Sequence, residues 1–331
     1  MIAHVPAAEG PLSFVTTGAV RWLAPWSKVR IAVIPDLVVL GNLLVDDMVF
    51  PDGRTRMAEP GGATLYAALG ASLWGLTAGV ASVRGDDYPP EALDGLTARG
   101  VDLSGVRPLG RPGLRTWLLY EGARRQVIHH LDLPSHAEVS PTAATLPPSW
   151  RRARAFYLAP MPFDVQRELV RDLSQIPGAF VSLDPYRLLT ADSVGDWREV
   201  VAQVDALFLS EDELEVGSRD EPRAALRSLA SGRLRFVLFK RGARGGILYD
   251  AREDRFVEWA ARAAAVVDPT GAGDAFAAGF LAGWLGGESV ETALSRGVVG
   301  ASFAIEDWGA AGLFRADRAA AAQRLQAWRS A

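Results

Sequence analysis

Val266 to Phe280 read VVDPTGAGDAFAAGF. Two branched apolar residues have the form of a strand that Asp268 closes, a turn of small residues follows, and a helix-like run begins at Asp274. A strand passing through a glycine turn into a helix is the unit from which parallel α/β sheets are built. Gly271, Ala272 and Gly273 carry little or no side chain, so a ligand can approach their backbone N–H groups at the positive end of the helix. That arrangement suits an anion. Asp274, in the same turn, is placed to accept a proton from a hydroxyl, or else simply to cap the helix. The turn is not a P-loop, since no Lys follows its last Gly. It is not the dinucleotide fingerprint either, because Phe276 stands where the third Gly belongs.

Outward from this turn, short runs rich in branched and aromatic residues predict strands at 36–44, 77–83, 153–159, 179–185, 204–210 and 234–240. Helices are expected between them at 61–75, 162–174, 221–231 and 271–286, and the Ala-rich tail after Arg315 reads as a final amphipathic helix. The alternation implies a mainly parallel sheet covered on both faces, with ligands outside the carboxyl ends of its strands. Two stretches break the rhythm. Asp46 to Met57 reads as a hairpin around PDG, and Arg115 to Leu131 as a second around YEGAR. Paired, they would make a small antiparallel sheet, and segments 45–58 and 113–132 are expected to form a lid.

The 331 residues suffice for one large domain, and 49% of them are apolar. A net charge of −4 argues against a nucleic-acid binder, which would show a basic face. There is no cysteine, so disulfides and thiolate metal sites are excluded. The four histidines do not form a chelating pattern, because adjacent His129 and His130 would face opposite sides of a strand. No apolar run is long enough for a membrane span. Residues 1–33 lack the form of an export signal and read as an extension before a domain at 34–331, in a cytoplasmic protein.

DPTGAGDAFAAGF resembles the second signature of the ribokinase-like, or phosphofructokinase-B, family of carbohydrate and nucleoside kinases. The resemblance extends over about residues 36–315. It implies a three-layer α/β sandwich with a mainly parallel central sheet and a small β lid. It also implies transfer of a phosphate from ATP, with Mg²⁺, to a hydroxyl of a small molecule. Asp274 would be the base, and Gly271, Ala272 and Gly273 the anion hole for the moving phosphoryl group.

LGNLLVDD resembles the family's first strand, which gives Asp46 the grip on the acceptor, with Asp47 an alternative. EPGGATLYAALG resembles the first signature, which puts Gly61 and Gly62 against the acceptor. Tyr66 stands where many sugar kinases have Asn, so the acceptor class is left open by that departure. LFLSEDELEVG takes the place of the N-x-x-E motif, with Ser210 for the Asn and Glu213 near the magnesium. The bland reading of the same residues is a capped helix start. FKRGARGG resembles the family's strand–turn with G-x-x-G, which implies that Gly242 and Gly245 lie beside the nucleotide and leaves Lys240 either reaching a phosphate or lying on the surface. LDPYRLL resembles the D-P-x-x-R segment, at Asp184, Pro185 and Arg187, and makes Asp184 a candidate for the magnesium water shell. Asp268 matches a position that commonly binds a monovalent cation, so K⁺ is a further candidate. A sugar or polyol is the expected acceptor and a nucleoside the alternative, with Trp117 or Tyr120 as the floor under a base. A catalytically idle family member serving as a binding protein is the remaining rival. The exposed strands of the lid suggest a homodimer.

Overall fold

The computed structural model of the protein describes residues 34–121, 124–186, 188–215, 222–262 and 265–330. The expected extension at 1–33, the tip of the YEGAR turn and Arg187 lie outside the described residues. In chain order the elements are β1 (Leu37–Leu40), β2 (Leu44–Val49), β3 (Thr55–Gly61), α1 (Ala63–Ser72), β4 (Ala78–Arg84), α2 (Pro90–Ala98) and β5 (Asp102–Pro108). Then come β6 (Arg115–Glu121), β7 (Arg124–His129), β8 (Ala155–Leu158), α3 (Phe163–Leu173), β9 (Phe180–Leu183), α4 (Val194–Val201) and β10 (Ala206–Ser210). The chain continues through α5 (Arg223–Leu229), β11 (Phe236–Lys240), β12 (Gly246–Asp250), β13 (Arg255–Trp259), α6 (Ala272–Leu285), α7 (Val290–Ile305), α8 (Ala311–Arg315) and α9 (Arg318–Ser330).

Nine strands form the main sheet in the order β13-β12-β11-β10-β9-β8-β1-β4-β5. Pairing is parallel from β11 through β5, and β12 and β13 add an antiparallel hairpin at one edge. Because side chains alternate across a strand, Leu37 and Val39 face one core with Leu69, Phe280 and Val299. Val38 and Leu40 face the other core with Leu169, Trp197 and Leu226. Strands buried on both faces must be apolar throughout, which is why β1 reads LVVL. The molecule is therefore α/β, with helices on both faces of a mainly parallel sheet and a smaller sheet beside it.

The smaller sheet has the order β3-β2-β6-β7. Both expected hairpins are present, but they join through a parallel β2–β6 pair, with Asp46 opposite Thr116, so the lid is mixed rather than purely antiparallel. The predicted strand 36–44 is two strands in different sheets, because Gly41 is held against Ala159 and Thr64 and the chain then turns into the lid. Val266 and Val267 form no strand. Val266 is 64% exposed, and the Val267 N–H is given to the Ile305 carbonyl at the end of α7 instead of to a neighbouring strand. The hairpin β12–β13 and helices α2 and α4 are not among the expected elements.

Candidate active site

The carboxyl ends of β8, β9, β10 and β11 meet the first turn of α6. Gly271, the N-cap of α6, has φ +73°, and a Cβ there would overlap the ring of Tyr66, so both the backbone and the packing require glycine. Asp274 sits half-buried in the first helical turn. Burial pushes its pKa up to about 7, aided by the nearby charge of Asp184, while Lys240, the Tyr157 hydroxyl and Arg125 pull it down. Ala272 already gives its N–H to Pro269 at 3.4 Å, a long bond.

Lys240 ends β11 and is not a surface lysine: its side chain is 14% exposed and its Nζ lies 2.6 Å from Asp184 Oδ2. A Cβ on Gly273 would come 3.2 Å from that Nζ, so the ammonium stands directly over the glycine turn. Desolvation would lower the Lys240 pKa, but Asp184 and Glu213 hold it above its ordinary value. Asp184 Oδ1 is buried and has no hydrogen-bond partner. Glu213 Oε2 accepts from the Ser210 N–H at 2.6 Å. Burial, then repulsion by Asp184, raises the Glu213 pKa to about 7. Ser210 and Glu213 thus make one half of the expected capping contact, but residues 211–213 form a turn and not the start of a helix. Gly242 and Gly245 flank the next turn, with φ +53° and +74°, just beyond β11.

Tyr157 connects these groups. Its hydroxyl lies 3.3 Å from Asp184 Oδ2 and 3.1 Å from Asp274 Oδ1. One phenolic proton cannot serve both acids at once, so the pair is coupled through it. Nothing in the sequence marked Tyr157, an aromatic residue inside a buried strand.

On the lid side, Asp46 is 3% exposed. Its Oδ1 accepts from the Thr116 hydroxyl, and its Oδ2 lies where a Cβ of Gly61 would have to be. Burial raises its pKa to about 7, against the Thr116 bond and the charge of Arg125. Arg125, on β7, acts electrostatically on both Asp46 and Asp274, another contribution that the sequence did not reveal. Asp47 is taken up elsewhere, bound by Arg115 at 2.6 and 2.7 Å and by the Ala58 N–H at 2.8 Å. Asp47, the alternative to Asp46, is thus a structural anchor whose carboxylate is filled by protein donors. Gly62, with φ +97°, starts α1 against the Asn42 carbonyl.

Tyr66 is 1% exposed and its hydroxyl has no partner. Tyr120 faces inward, its hydroxyl on Thr270 and 3.3 Å from Asp268. Trp117 turns outward and stacks on His130, with centroids 4.8 Å apart, so it cannot floor a base. Asp268 is fully buried and accepts from the Thr270 N–H, the Thr270 hydroxyl and the Gly309 N–H at 2.6–2.9 Å, tying the loop after α7 to the glycine turn. Among the described residues no three acidic or imidazole side chains gather as a direct metal cage.

Comparison with known proteins agrees with this geometry. The profile of the pfkB family carbohydrate kinases matches residues 37–315. A cytidine kinase from Thermococcus kodakarensis is 32% identical over 284 residues, covering 83% of this chain and 97% of that protein. A fructokinase from Klebsiella pneumoniae is 29% identical, over 74% and 83% of the two chains. The crystal structure of a putative ribokinase II from E. coli in complex with ATP and Mg²⁺ superposes with a TM-score of 0.69 over 89% of this chain and 99% of that one. At 19% identity this is a likeness of fold. Fold, glycine turn and family match converge: the chain belongs to the pfkB family of carbohydrate and nucleoside kinases.

Proposed function

We propose that the chain transfers the γ-phosphoryl group of ATP to a hydroxyl of a sugar, polyol or nucleoside held between Asp46 and Asp274. The observation that carries this reading is the linked set Lys240–Asp184–Tyr157–Asp274 beside the open first turn of α6. Asp274 takes the proton of the attacking hydroxyl. Its Oδ1 is engaged by Tyr157, which leaves Oδ2 for the acceptor. Gly271, Gly273 and the helix terminus, with Lys240, stabilise the charge on the moving phosphoryl group. Gly242, Gly245 and Ser210 border the nucleotide. The unpartnered Asp184 Oδ1, beside Glu213, fits a hydrated Mg²⁺ carried in with ATP, which supplies further charge neutralisation. Asp268 already has its acceptors filled by protein donors, so a K⁺ near it would draw mainly on other oxygens of the loop. Exposed Met57, Ile128 and Leu131 on the lid support the homodimer reading.

The cytidine kinase and fructokinase relatives span both acceptor classes. A coupled ADP-release assay with sugars, inositols and nucleosides tests the reading and separates it from an idle binding protein.

Two further outcomes are expected. The base works only when ionised, so turnover should rise with pH through about 7, the value to which burial brings Asp274. Tyr157→Phe removes a bond that lowers this pKa, so the rising limb should move to higher pH while ATP binding is kept. A rate profile over pH checks this, and an unmoved limb would show that Tyr157 only packs. The Tyr66 hydroxyl is buried without a partner, which is costly unless a substrate hydroxyl meets it. Tyr66→Phe should therefore lower acceptor kcat/KM by about 10-fold. A more stable variant with unchanged kcat/KM would mean that Tyr66 never meets the acceptor.

A further inference from the structure

A second feature of the acceptor side is not used by phosphoryl transfer. Strand pairing sets His129 opposite Thr116, Val127 opposite Leu118 and Arg125 opposite Tyr120. Directly paired residues share a face of the sheet. Thr116, Leu118 and Tyr120 are buried on the face that carries Asp46 and reaches Asp268. His129, Val127 and Arg125 extend that same inner face to the free edge of the lid. There Val127 is left 42% exposed, an apolar side chain on the face turned toward the site.

Against this edge stands His136. Its ring lies edge-on to His129, centroids 5.7 Å apart, and edge-on to Tyr186, centroids 4.9 Å apart. Tyr186 follows Asp184 by two residues and is 45% exposed. His136 is fixed by Asn42, whose Oδ1 lies 2.6 Å from Nε2. The Asn42 amide nitrogen donates to the Val139 carbonyl at 2.8 Å, which fixes Oδ1 as the acceptor. Nε2 of His136 must therefore carry the proton, and its Nδ1 is a bare acceptor. The Nδ1 atoms of His136 and His129 are both buried and unpartnered. Desolvation holds both imidazoles below their ordinary pKa, that of His136 down to about 4, so they are neutral near pH 7. Asn42 also fixes this group beside the acceptor glycines, since its carbonyl abuts Gly62 and accepts from Thr64 at 2.6 Å.

We propose that His129, His136, Tyr186 and Val127 form the base pocket of a nucleoside acceptor, which deepens the kinase reading above and rests on it. The ring of Tyr186 and the apolar side chain of Val127 suit a heteroaromatic ring. The bare Nδ1 of His136 calls for an N–H on that ring's edge. A free sugar offers no flat ring and would leave the apolar wall wet and the His136 acceptor unpaired.

The test combines binding and turnover on the full chain. Cytidine, uridine, adenosine, ribose, fructose and myo-inositol are each titrated by calorimetry in the presence of a non-hydrolysable ATP analogue and Mg²⁺, then compared by kcat/KM with ATP. The best nucleoside should exceed the best sugar by about 100-fold or more, as sites with buried polar groups discriminate against partners that leave them unpaired. Tyr186→Ala, at a half-exposed position that should not affect folding, and His129→Ala should each weaken nucleoside binding about 10-fold through KM. Nucleoside binding without ADP release would sustain the pocket and sink the kinase reading. Sugar turnover equal to or above nucleoside turnover, or nucleoside binding indifferent to both variants, overturns the pocket and leaves phosphoryl transfer standing.

Discussion

Asp274→Asn is expected to cut turnover by roughly 10²- to 10⁴-fold, the usual range for a lost general base, with ATP affinity largely kept. Asn keeps the shape of the side chain and its contact with Tyr157 but cannot take the acceptor's proton. The same change should stabilise the fold. The folded-state pKa of Asp274 is raised from 3.8 to about 7, so the native state binds its proton more tightly than the unfolded chain does. Stability is then lost as pH rises through that window, and Asn escapes the loss. At pH 8 the variant should melt a few degrees higher than wild type. A variant that melts higher and no longer turns over would show that the acid is kept for chemistry. Near wild-type turnover would reduce Asp274 to a helix cap.

Gly273→Val is expected to lower turnover by about 10²- to 10³-fold, comparable to the loss of a key oxyanion donor. A Cβ at this position would come 3.2 Å from Lys240 Nζ, and a branched side chain would fill the space between the ammonium and the helix N-terminus. The neighbour is the far end of a flexible side chain, so Lys240 can swing aside and the fold should persist. The phosphoryl group then loses both its close approach to the backbone and its lysine. Circular dichroism establishes the fold, and steady-state kinetics reads the loss. A folded, fully active variant would remove the anion hole from the mechanism.

The parts of this site that were legible in the sequence are those whose chemistry is local. The glycine turn and Asp274 are consecutive, so the sequence shows their juxtaposition directly. Asp46, Gly61 and Gly62 needed the family resemblance, since an acid at a strand end is ordinarily a surface residue. The fold required the carboxylate of Asp46 to lie over Gly61 to give those residues a shared place. Lys240 could have been a surface residue, and its contact with Asp184 bridges 56 positions of sequence. Tyr157 was hidden because a tyrosine in a buried strand is as suited to packing as to hydrogen bonding. His136 and Asn42 lie 94 positions apart and no motif joins them.

The fold shows the same division. Apolar runs predicted the parallel strands because burial on both faces demands them. Val266 and Val267 have strand composition but lie beyond any available strand edge, and their backbone is satisfied by the end of α7 instead. Trp117 and Tyr120 lie three apart on one strand and so face opposite sides, but only the packing of Tyr120 with Met48, Phe50 and Leu118 shows which side is inward.

The most direct measurement is ADP release by the wild-type chain with ATP and Mg²⁺, with and without an alcohol acceptor. Phosphoryl transfer from ATP to a bound hydroxyl, with Asp274 as base, requires release that depends on a sugar, polyol or nucleoside and is absent without Mg²⁺. No release with any acceptor of the panel, or release at the same rate without one, would contradict it.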